Sequence, residues 1–174
     1  MVEASKIRKI AYSTIATDFF HFGHLRALKF AQNQADFHVC SILTDESIIT
    51  PDERKAVIEN LKCVDRVILQ ESRDSTENLK KIHKEFPNSE IILVRSEDYN
   101  YFPESDYLNS INGKIIKHPN YDQFSDLNLI TTLLDKYKGK FQNLGEFTNF
   151  FKLRNFKKSE IKQSIISTKA ETLK

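Results

Sequence analysis

The sequence of 174 residues has little cysteine and no long apolar run. Cys40 and Cys63 are its two cysteines, so neither a disulfide framework nor a cysteine-rich metal site is available, and no metal site is predicted from the protein's own residues. Both lie in apolar segments, which is typical of buried structural thiols. No apolar stretch is long enough to cross a bilayer, and Arg8 and Lys9 interrupt the N-terminal segment, so neither membrane insertion nor a signal peptide is predicted. We therefore expect a cytoplasmic protein.

A large excess of charge of one sign is also missing, because the net charge is only +2. From Lys138 onward nine basic residues face three acidic ones, a net charge of +6, whereas the preceding residues carry 17 basic and 21 acidic side chains, a net charge of −4. The residues before Lys138 therefore lack the net positive charge that is typical of nucleic-acid-binding domains, so no nucleic-acid partner is expected. We predict one domain over 1–138 and a basic, phenylalanine-containing extension over 139–174, which could dock on the domain, support a dimer or contact an acidic partner.

Short apolar runs alternate with segments of helical spacing along the domain. The predicted strands are 7–15, 37–43, 64–70, 89–95 and 114–119. Short apolar strands that are joined by helices favour a parallel sheet covered on both faces. We therefore predict an α/β protein: a Rossmann-like, doubly wound, five-stranded parallel sheet followed by a basic C-terminal tail.

Helices are predicted in the connections between these strands. Apolar residues recur at helical spacing over 22–35, and Pro51 suits a first helical position with Thr50 as its cap. A short helix is expected to end at Gly113, and a last helix to cover 125–138. Sheets of this kind bind ligands at the carboxyl ends of their strands, where the strand order reverses. Because three of these ends run directly into helix starts, which carry unpaired N–H groups, a phosphate ligand is predicted.

The tetrapeptide HFGH, at residues 21–24, follows the first strand and opens the first helix. His21 and His24 are three residues apart and would share one face of a helical turn. Gly23 has no side chain, so backbone or ligand can approach closely there. Two imidazoles fixed in this place could stabilise the charge that develops on phosphate during nucleotidyl transfer. The alternative is that both histidines are structural, and the tetrapeptide alone favours it.

The wider sequence resembles the nucleotidyltransferase superfamily, and most closely its cytidylyltransferase branch. DFFHFGH (18–24) is similar to the branch signature GTFDLFHxGH, and DERKAVIENLKCVDRVI (52–68) to a segment whose arginine reaches the triphosphate. SEDY (96–99) and FSDLNLI (124–130) fall where the branch has GDDW and ISTTxII. The resemblance covers about residues 7–137 and implies the nucleotidylyltransferase fold.

The resemblance also implies roles for particular residues around the first turn. His21 and His24 would stabilise the transferring phosphate as the catalytic pair. Asp18 would orient the first turn or contact the acceptor phosphate, and Arg54 would pair with the nucleotide phosphates. The nucleotide-binding set implied by the resemblance is completed by Ile15, Ala16, Gly23, Glu97, Asp98, Tyr99 and Ser125, of which Asp98 and Tyr99 would lie beside the cytosine and ribose.

The sequence departs from the branch pattern at its phosphate-binding positions. Ile15 stands where the branch has glycine and is expected to crowd the turn. A lysine and an arginine that relatives use are missing, and Arg95 either replaces a lost charge or is a solvated strand end. Because each charge-assisted contact contributes roughly 1.5–3 kcal/mol, losing two would weaken nucleotide binding by about two to four orders of magnitude.

The expected function is that of a cytidylyltransferase that joins CTP, with Mg²⁺, to a phosphorylated alcohol or a phosphonate. The products would be a CDP- or CMP-linked compound and pyrophosphate. Two alternatives stay open: adenylyl transfer within the same superfamily, and a catalytically weakened nucleotide-binding or regulatory protein. The relatives dimerise, so a homodimer is expected.

Overall fold

A parallel sheet forms the centre of the first part of the chain. The computed structural model describes residues 7–16, 18–44, 49–121, 124 and 126–137, and in these ranges it contains five strands. The strands are β1 (Lys9–Ile15), β2 (Phe37–Leu43), β3 (Arg66–Gln70), β4 (Glu90–Ser96) and β5 (Lys114–His118). Their order across the sheet is β3-β2-β1-β4-β5, and all neighbouring pairs are parallel. The predicted fold class is thus confirmed.

The strands are connected by helices, as the periodicity predicts. The helices are α1 (Phe22–Gln32), α2 (Pro51–Glu59), α3 (Thr76–Glu85), α4 (Ser105–Ser110) and α5 (Asp126–Tyr137). The chain divides into a unit over Met1–Phe124, which holds the sheet and α1–α4, and a unit over Ser125–Lys174, of which α5 is described. The predicted basic extension over 139–174 lies outside the described residues, and its boundary stays a prediction.

Side chains from the two faces of the sheet build separate cores. On one face, residues of β1 and β2 pack against Leu28 of α1 and Ile58 of α2. On the other face, strand residues pack against Leu79 of α3 and Leu108 of α4. Alternate strand residues point to opposite faces, so both faces need apolar residues, and most of the buried strand residues are apolar. This arrangement leaves the loops at the carboxyl ends of the strands available for a site.

Both cysteines are buried and free. They lie in the core between the sheet and the α1 and α2 helices. Burial raises the pKa of Cys40 to about 12, so this thiol stays protonated and unreactive. The interpretation of both cysteines as structural thiols is confirmed.

The end of α4 differs from the prediction that placed it at Gly113. Asn112 has the left-handed conformation that closes a helix, with φ at 53°, and the N–H of Gly113 donates to the carbonyl of Leu108 at 2.8 Å. Gly113 is needed for a different reason. A Cβ there would lie 2.8 Å from Cδ2 of Leu108 and 3.0 Å from the carbonyl oxygen of Ile91, so the glycine allows α4 to approach β4.

Candidate active site

His21 and His24 together close the N-terminal end of α1. His21 is the N-cap residue and has an extended backbone, with φ −138° and ψ 178°. Its Nδ1 accepts a hydrogen bond from the N–H of Gly23 at 3.0 Å. Nδ1 of His24 accepts a longer one from the N–H of His21 at 3.4 Å. Serine or threonine with glutamate usually forms this reciprocal capping box, so here the imidazoles replace both.

The capping hydrogen bonds fix the tautomer of both rings. Because each Nδ1 accepts a hydrogen bond from a backbone N–H, it cannot carry the proton of a neutral imidazole. The proton of His21 and that of His24 therefore lie on Nε2, and Nε2–H is the donor of each neutral ring. The ring centroids are 3.8 Å apart with the planes tilted by 35°, so the two donors lie on adjacent, half-buried rings at a helix N-terminus.

Gly23 is buried between the cap and a distant segment of backbone. A Cβ on this residue would lie 2.7 Å from the carbonyl oxygen of Phe124 and 2.9 Å from Cε1 of His21. Any side chain would push the His21 ring or the Phe124 backbone out of place. The expected close approach of backbone at Gly23 is confirmed, whereas approach of a ligand stays a prediction.

Ile15 does not crowd the turn in the way the sequence predicts. It is the last residue of β1, it pairs with Ile42, and its side chain is 7% exposed within the α1 and α2 core. Among the described non-glycine residues, only Asn112 has a positive φ, so Ile15 keeps ordinary strand geometry. The expectation was wrong because it assumed a glycine-like turn, whereas the position extends the strand. Ala16 follows on the surface, and contact of either residue with a nucleotide stays a prediction.

Asp18 connects the turn after β1 to the start of α2. Its Oδ1 accepts a hydrogen bond from the N–H of Ile49 at 2.9 Å, and the carboxylate is half-buried. Ile49 directly precedes Thr50, which caps α2 in a reciprocal box with Glu53, so the predicted cap at Thr50 is confirmed. Of the two roles expected of Asp18, the structure supports the orientation of the first turn.

Arg54 lies in the first turn of α2 and is 6% exposed. Its Nη2 donates to the carbonyl oxygen of Leu43, the last residue of β2, at 2.7 Å. The guanidinium is therefore held at the carboxyl end of a central strand. Charge interactions are stronger in such a poorly hydrated place than in water, so Arg54 is a candidate residue for binding an anion.

The segment SEDY connects the ends of β4 and β5. Oε1 of Glu97 accepts from the N–H of Asn120 at 2.8 Å, and the carboxylate is exposed. Asp98 is exposed as well, whereas Tyr99 is half-buried and packs edge-on against Phe102 at a centroid distance of 5.7 Å. Glu97 thus holds the loop after β5. Contacts of all three residues with a nucleotide, and of Asp98 and Tyr99 with its base, stay predictions. Ser125, the last predicted site residue, lies outside the described residues.

Arg95 is not a solvated strand end, so that interpretation was wrong. It is 7% exposed and forms an ion pair with the fully buried Glu104, with 2.7 Å between Nη2 and Oε1. Sequence reasoning missed Glu104 altogether. The available signal was an acidic residue directly after the apolar pair Phe102 and Pro103, at the start of a helix.

The described residues contain no group of three or more His, Cys, Asp or Glu side chains that could hold a metal ion. A Mg²⁺ ion that accompanies a nucleotide is usually bound by phosphate oxygens and one or two carboxylates. Asp18 is the carboxylate in the turn before the histidines, and its Oδ1 accepts a hydrogen bond from the N–H of Ile49; binding of Mg²⁺ with the nucleotide stays a prediction. Within the described residues, no helix is long and apolar enough to span a membrane.

Comparisons with known proteins show which family the chain resembles. A family model described as cytidylyltransferase-like matches residues 17–168. Over 149 residues the chain is 27% identical to the bifunctional protein HldE of Trichlorobacter lovleyi, which covers 78% of this chain and 29% of that protein. The HldE protein of Syntrophotalea carbinolica is 25% identical over 151 residues, with 79% of this chain and 29% of that protein covered. The chain thus spans about three-tenths of the length of these curated relatives.

A solved structure shares the fold. The lipopolysaccharide core biosynthesis protein from Thermoplasma volcanium superimposes with a TM-score of 0.53 at 23% identity, covering 67% of this chain and 99% of that one. The segment that matches the family model contains both capping histidines and Arg54, and it includes all strands after β1. The chain belongs to the cytidylyltransferase-like family of the nucleotidyltransferase superfamily.

Proposed function

We propose that this protein transfers CMP from CTP to a small phosphorylated alcohol or a phosphonate and releases pyrophosphate. The observation that carries the proposal is the reciprocal capping of α1 by His21 and His24, which fixes an Nε2–H donor on each ring. A structural pair of histidines would need only the capping. The same capping also presets the tautomer and the ring positions that phosphate stabilisation requires. The ERKAVIENLKCVDRVI segment supports CTP as the nucleotide.

The chemistry needs little proton transfer. An oxygen of the acceptor's phosphate or phosphonate attacks the α-phosphorus of CTP, the bond from this phosphorus to the bridging oxygen breaks, and pyrophosphate leaves with the electron pair. Because the attacking oxygen is already ionised, no general base is required. Negative charge builds up on the α-phosphate and on the leaving group. Fixed donors and the positive end of a helix stabilise that charge without rearranging.

Each group of the site has a place in this scheme. The Nε2–H groups of His21 and His24, together with the N-terminus of α1, would stabilise the α-phosphate. Arg54, held by the carbonyl of Leu43, would pair with the outer phosphates. Mg²⁺, when bound with the triphosphate, supplies further neutralisation of phosphate charge. Asp18, which accepts a hydrogen bond from the N–H of Ile49, would hold the turn between β1 and α1 next to the start of α2.

Adenylyl transfer is the second candidate, and one contact favours keeping it. The carboxylate of Glu97, one of the residues expected to bind the nucleotide, accepts a hydrogen bond from the backbone N–H of Asn120. The contacts of this loop therefore favour a cytosine base less strongly than the sequence resemblance does. Specificity for CTP rests on the resemblance, and the test must include ATP.

The test is pyrophosphate release by the full chain with Mg²⁺, each of the four nucleoside triphosphates and a panel of phosphorylated alcohols and phosphonates. We expect release with CTP, and a loss of about 10²–10³ in kcat for His24→Ala, the usual effect of removing one transition-state donor. His83→Ala is the matched control, because His83 lies on α3 and contacts Tyr107 of α4, outside this site.

The other outcomes separate the alternatives. Release with ATP and not with CTP would replace cytidylyl by adenylyl transfer. Binding of CTP in calorimetry without release, with every acceptor, would indicate a nucleotide-binding protein that has lost catalysis. Absence of both binding and release would contradict the proposal.

A further inference from the structure

The two central strands separate at the carboxyl edge of the sheet. The pairing of β1 with β4 runs from Lys9↔Glu90 to Tyr12↔Leu93. β1 continues to pair with β2 as far as Ile15↔Ile42, and β4 continues with β5 as far as Ser96↔His118. The strand order reverses between β1 and β4, and ligands bind to sheets of this type at such a point.

One buried side chain crosses this separation. Nη1 of Arg95, on β4, donates to Oγ1 of Thr14, on β1, at 2.7 Å. The hydroxyl of Ser41, on β2, donates to the same Oγ1 at 2.9 Å. Where direct pairing of β1 with β4 has ended, a guanidinium therefore sets the distance between the two strands.

The same guanidinium is anchored to two helix starts. Its Nη2 donates to Oγ of Ser75 at 2.6 Å and to Oε1 of Glu104 at 2.7 Å. Ser75 is the N-cap residue of α3, and Glu104 is the N-cap residue of α4. The N–H of Ser75 also donates to Oε1 of Glu104 at 3.0 Å, so one charge pair joins the ends of four elements.

Stability alone does not explain this pair. Replacing a buried ion pair by apolar residues of similar volume is often neutral or stabilising, because desolvation of both charges offsets their attraction. Arg95 is 7% exposed and Glu104 is fully buried, and Oε2 of Glu104 and Nε of Arg95 have no hydrogen-bond partner among the described residues. What the pair supplies is a fixed position for the strand ends.

Both strand ends lead to opposite parts of the proposed site. β1 leads through Ile15 to His21, the residue proposed to stabilise the phosphates, whereas β4 leads to Tyr99, whose ring centroid is 5.7 Å from Cζ of Arg95. We propose that Arg95 is a positioning residue that holds the phosphate-binding and base-binding parts of the site at the separation that a nucleoside triphosphate requires. This inference rests on the proposed function, because it assumes that the nucleotide bridges the two strand ends.

The proposal distinguishes ligands that span the separation from ligands that do not. A ligand that binds two linked parts gains affinity from their fixed separation, whereas a ligand that binds one part does not. Loss of the hydrogen bond between Arg95 and Thr14 should therefore weaken the binding of CTP. The binding of pyrophosphate, which occupies only the phosphate part, should stay unchanged. A general loss of structure would weaken both.

The experiment is calorimetric titration of the full chain with CTP and, separately, with pyrophosphate, both with Mg²⁺. Thr14→Val removes the hydroxyl that Arg95 contacts on β1 and keeps the shape of the side chain. We expect its Kd for CTP to rise about tenfold and its Kd for pyrophosphate to stay within about twofold. The double variant Arg95→Met with Glu104→Met should behave in the same way without leaving a charge unpaired.

Ser89→Ala is the matched control. The hydroxyl of Ser89 donates to the carbonyl of Ile7 at 2.7 Å and so links the segments before β4 and β1 at the opposite edge of the sheet. It should leave both Kd values unchanged. Wild-type Kd values for both ligands in Thr14→Val, or an equal weakening of both, would overturn the positioning role alone. A wild-type protein that binds neither ligand would overturn the proposed function, and the positioning role with it.

Discussion

Replacing His21 by asparagine and by alanine separates two functions that the structure assigns to one imidazole. Nδ1 of His21 accepts from the N–H of Gly23 at 3.0 Å and caps α1, whereas Nε2–H is the donor proposed to stabilise phosphate. Asparagine is among the best N-cap residues, and its side-chain oxygen lies near the position of Nδ1, but it does not reach the position of Nε2. Alanine supplies neither group.

The two variants should therefore differ in stability and agree in activity. Loss of an N-cap side chain costs about 1 kcal/mol, so His21→Ala should lower the free energy of unfolding by that amount and His21→Asn by only a few tenths. Loss of one transition-state donor costs about 2.7–4 kcal/mol, so both variants should lose about 10²–10³ in kcat. Urea unfolding and pyrophosphate release from CTP measure the two effects on the same protein samples.

Two results would refute this reasoning. If His21→Asn kept the wild-type kcat, Nε2–H would have no part in the reaction, and His21 would be a structural cap. If His21→Ala were as stable as the wild type, the capping box would contribute nothing. His83→Asn, on α3, is the control for the loss of a histidine outside the site, and it should leave kcat unchanged.

Three further outcomes follow from the described contacts. Gly23→Ala should destabilise by about 1–3 kcal/mol in thermal unfolding, although alanine favours helices, because its methyl group would meet the Phe124 carbonyl; an increase in stability would contradict this contact. Burial lowers the pKa of His38, so below the usual pKa of about 6.5 the unfolded chain binds more protons than the native protein. As the pH is lowered through this range, the free energy of unfolding should therefore fall by up to about 1.4 kcal/mol per pH unit. Urea titrations from pH 7.5 to 5.5 should show this slope in the wild type, and the His38→Asn variant should lack it. Asn112→Ala should cost about 1 kcal/mol and Asn112→Gly should not, since the residue has φ at 53°; equal stability of the two variants would argue against the left-handed conformation.

The fold could be predicted because the signals that define it are local. The apolar run 37–43 coincides with β2, and Thr50 caps α2 with the predicted proline at the first helical position. β1 begins at Lys9, two residues later than predicted, because strand ends depend on pairing with neighbours that periodicity does not report. The C-terminal cap of α4 lies one residue earlier than expected, since asparagine also adopts the left-handed conformation that glycine signals.

The site was predicted less completely because its contacts join residues that are far apart in sequence. His21, Gly23 and His24 form a local motif, and the sequence indicated all three. The partner of Arg95 on β1 is 81 residues away, and no periodicity connects the two positions. A strand-end arginine is usually solvated, and only the fold brings a buried glutamate to it.

Arg54 and Arg95 show why the charge balance of the site could not be read from composition. From the sequence, Arg95 either compensates for the cations missing from the phosphate loops or is a solvated strand end. In the structure both Nη atoms of Arg95 are bonded to Thr14, Ser75 and Glu104, so its charge is neutralised internally. Nη2 of Arg54 donates to the carbonyl oxygen of Leu43 at the end of β2, and this hydrogen bond orients the guanidinium. Stabilisation of phosphate in the proposed reaction therefore depends on Arg54, on the N-terminus of α1 with its two imidazole donors, and on the Mg²⁺ that accompanies the nucleotide.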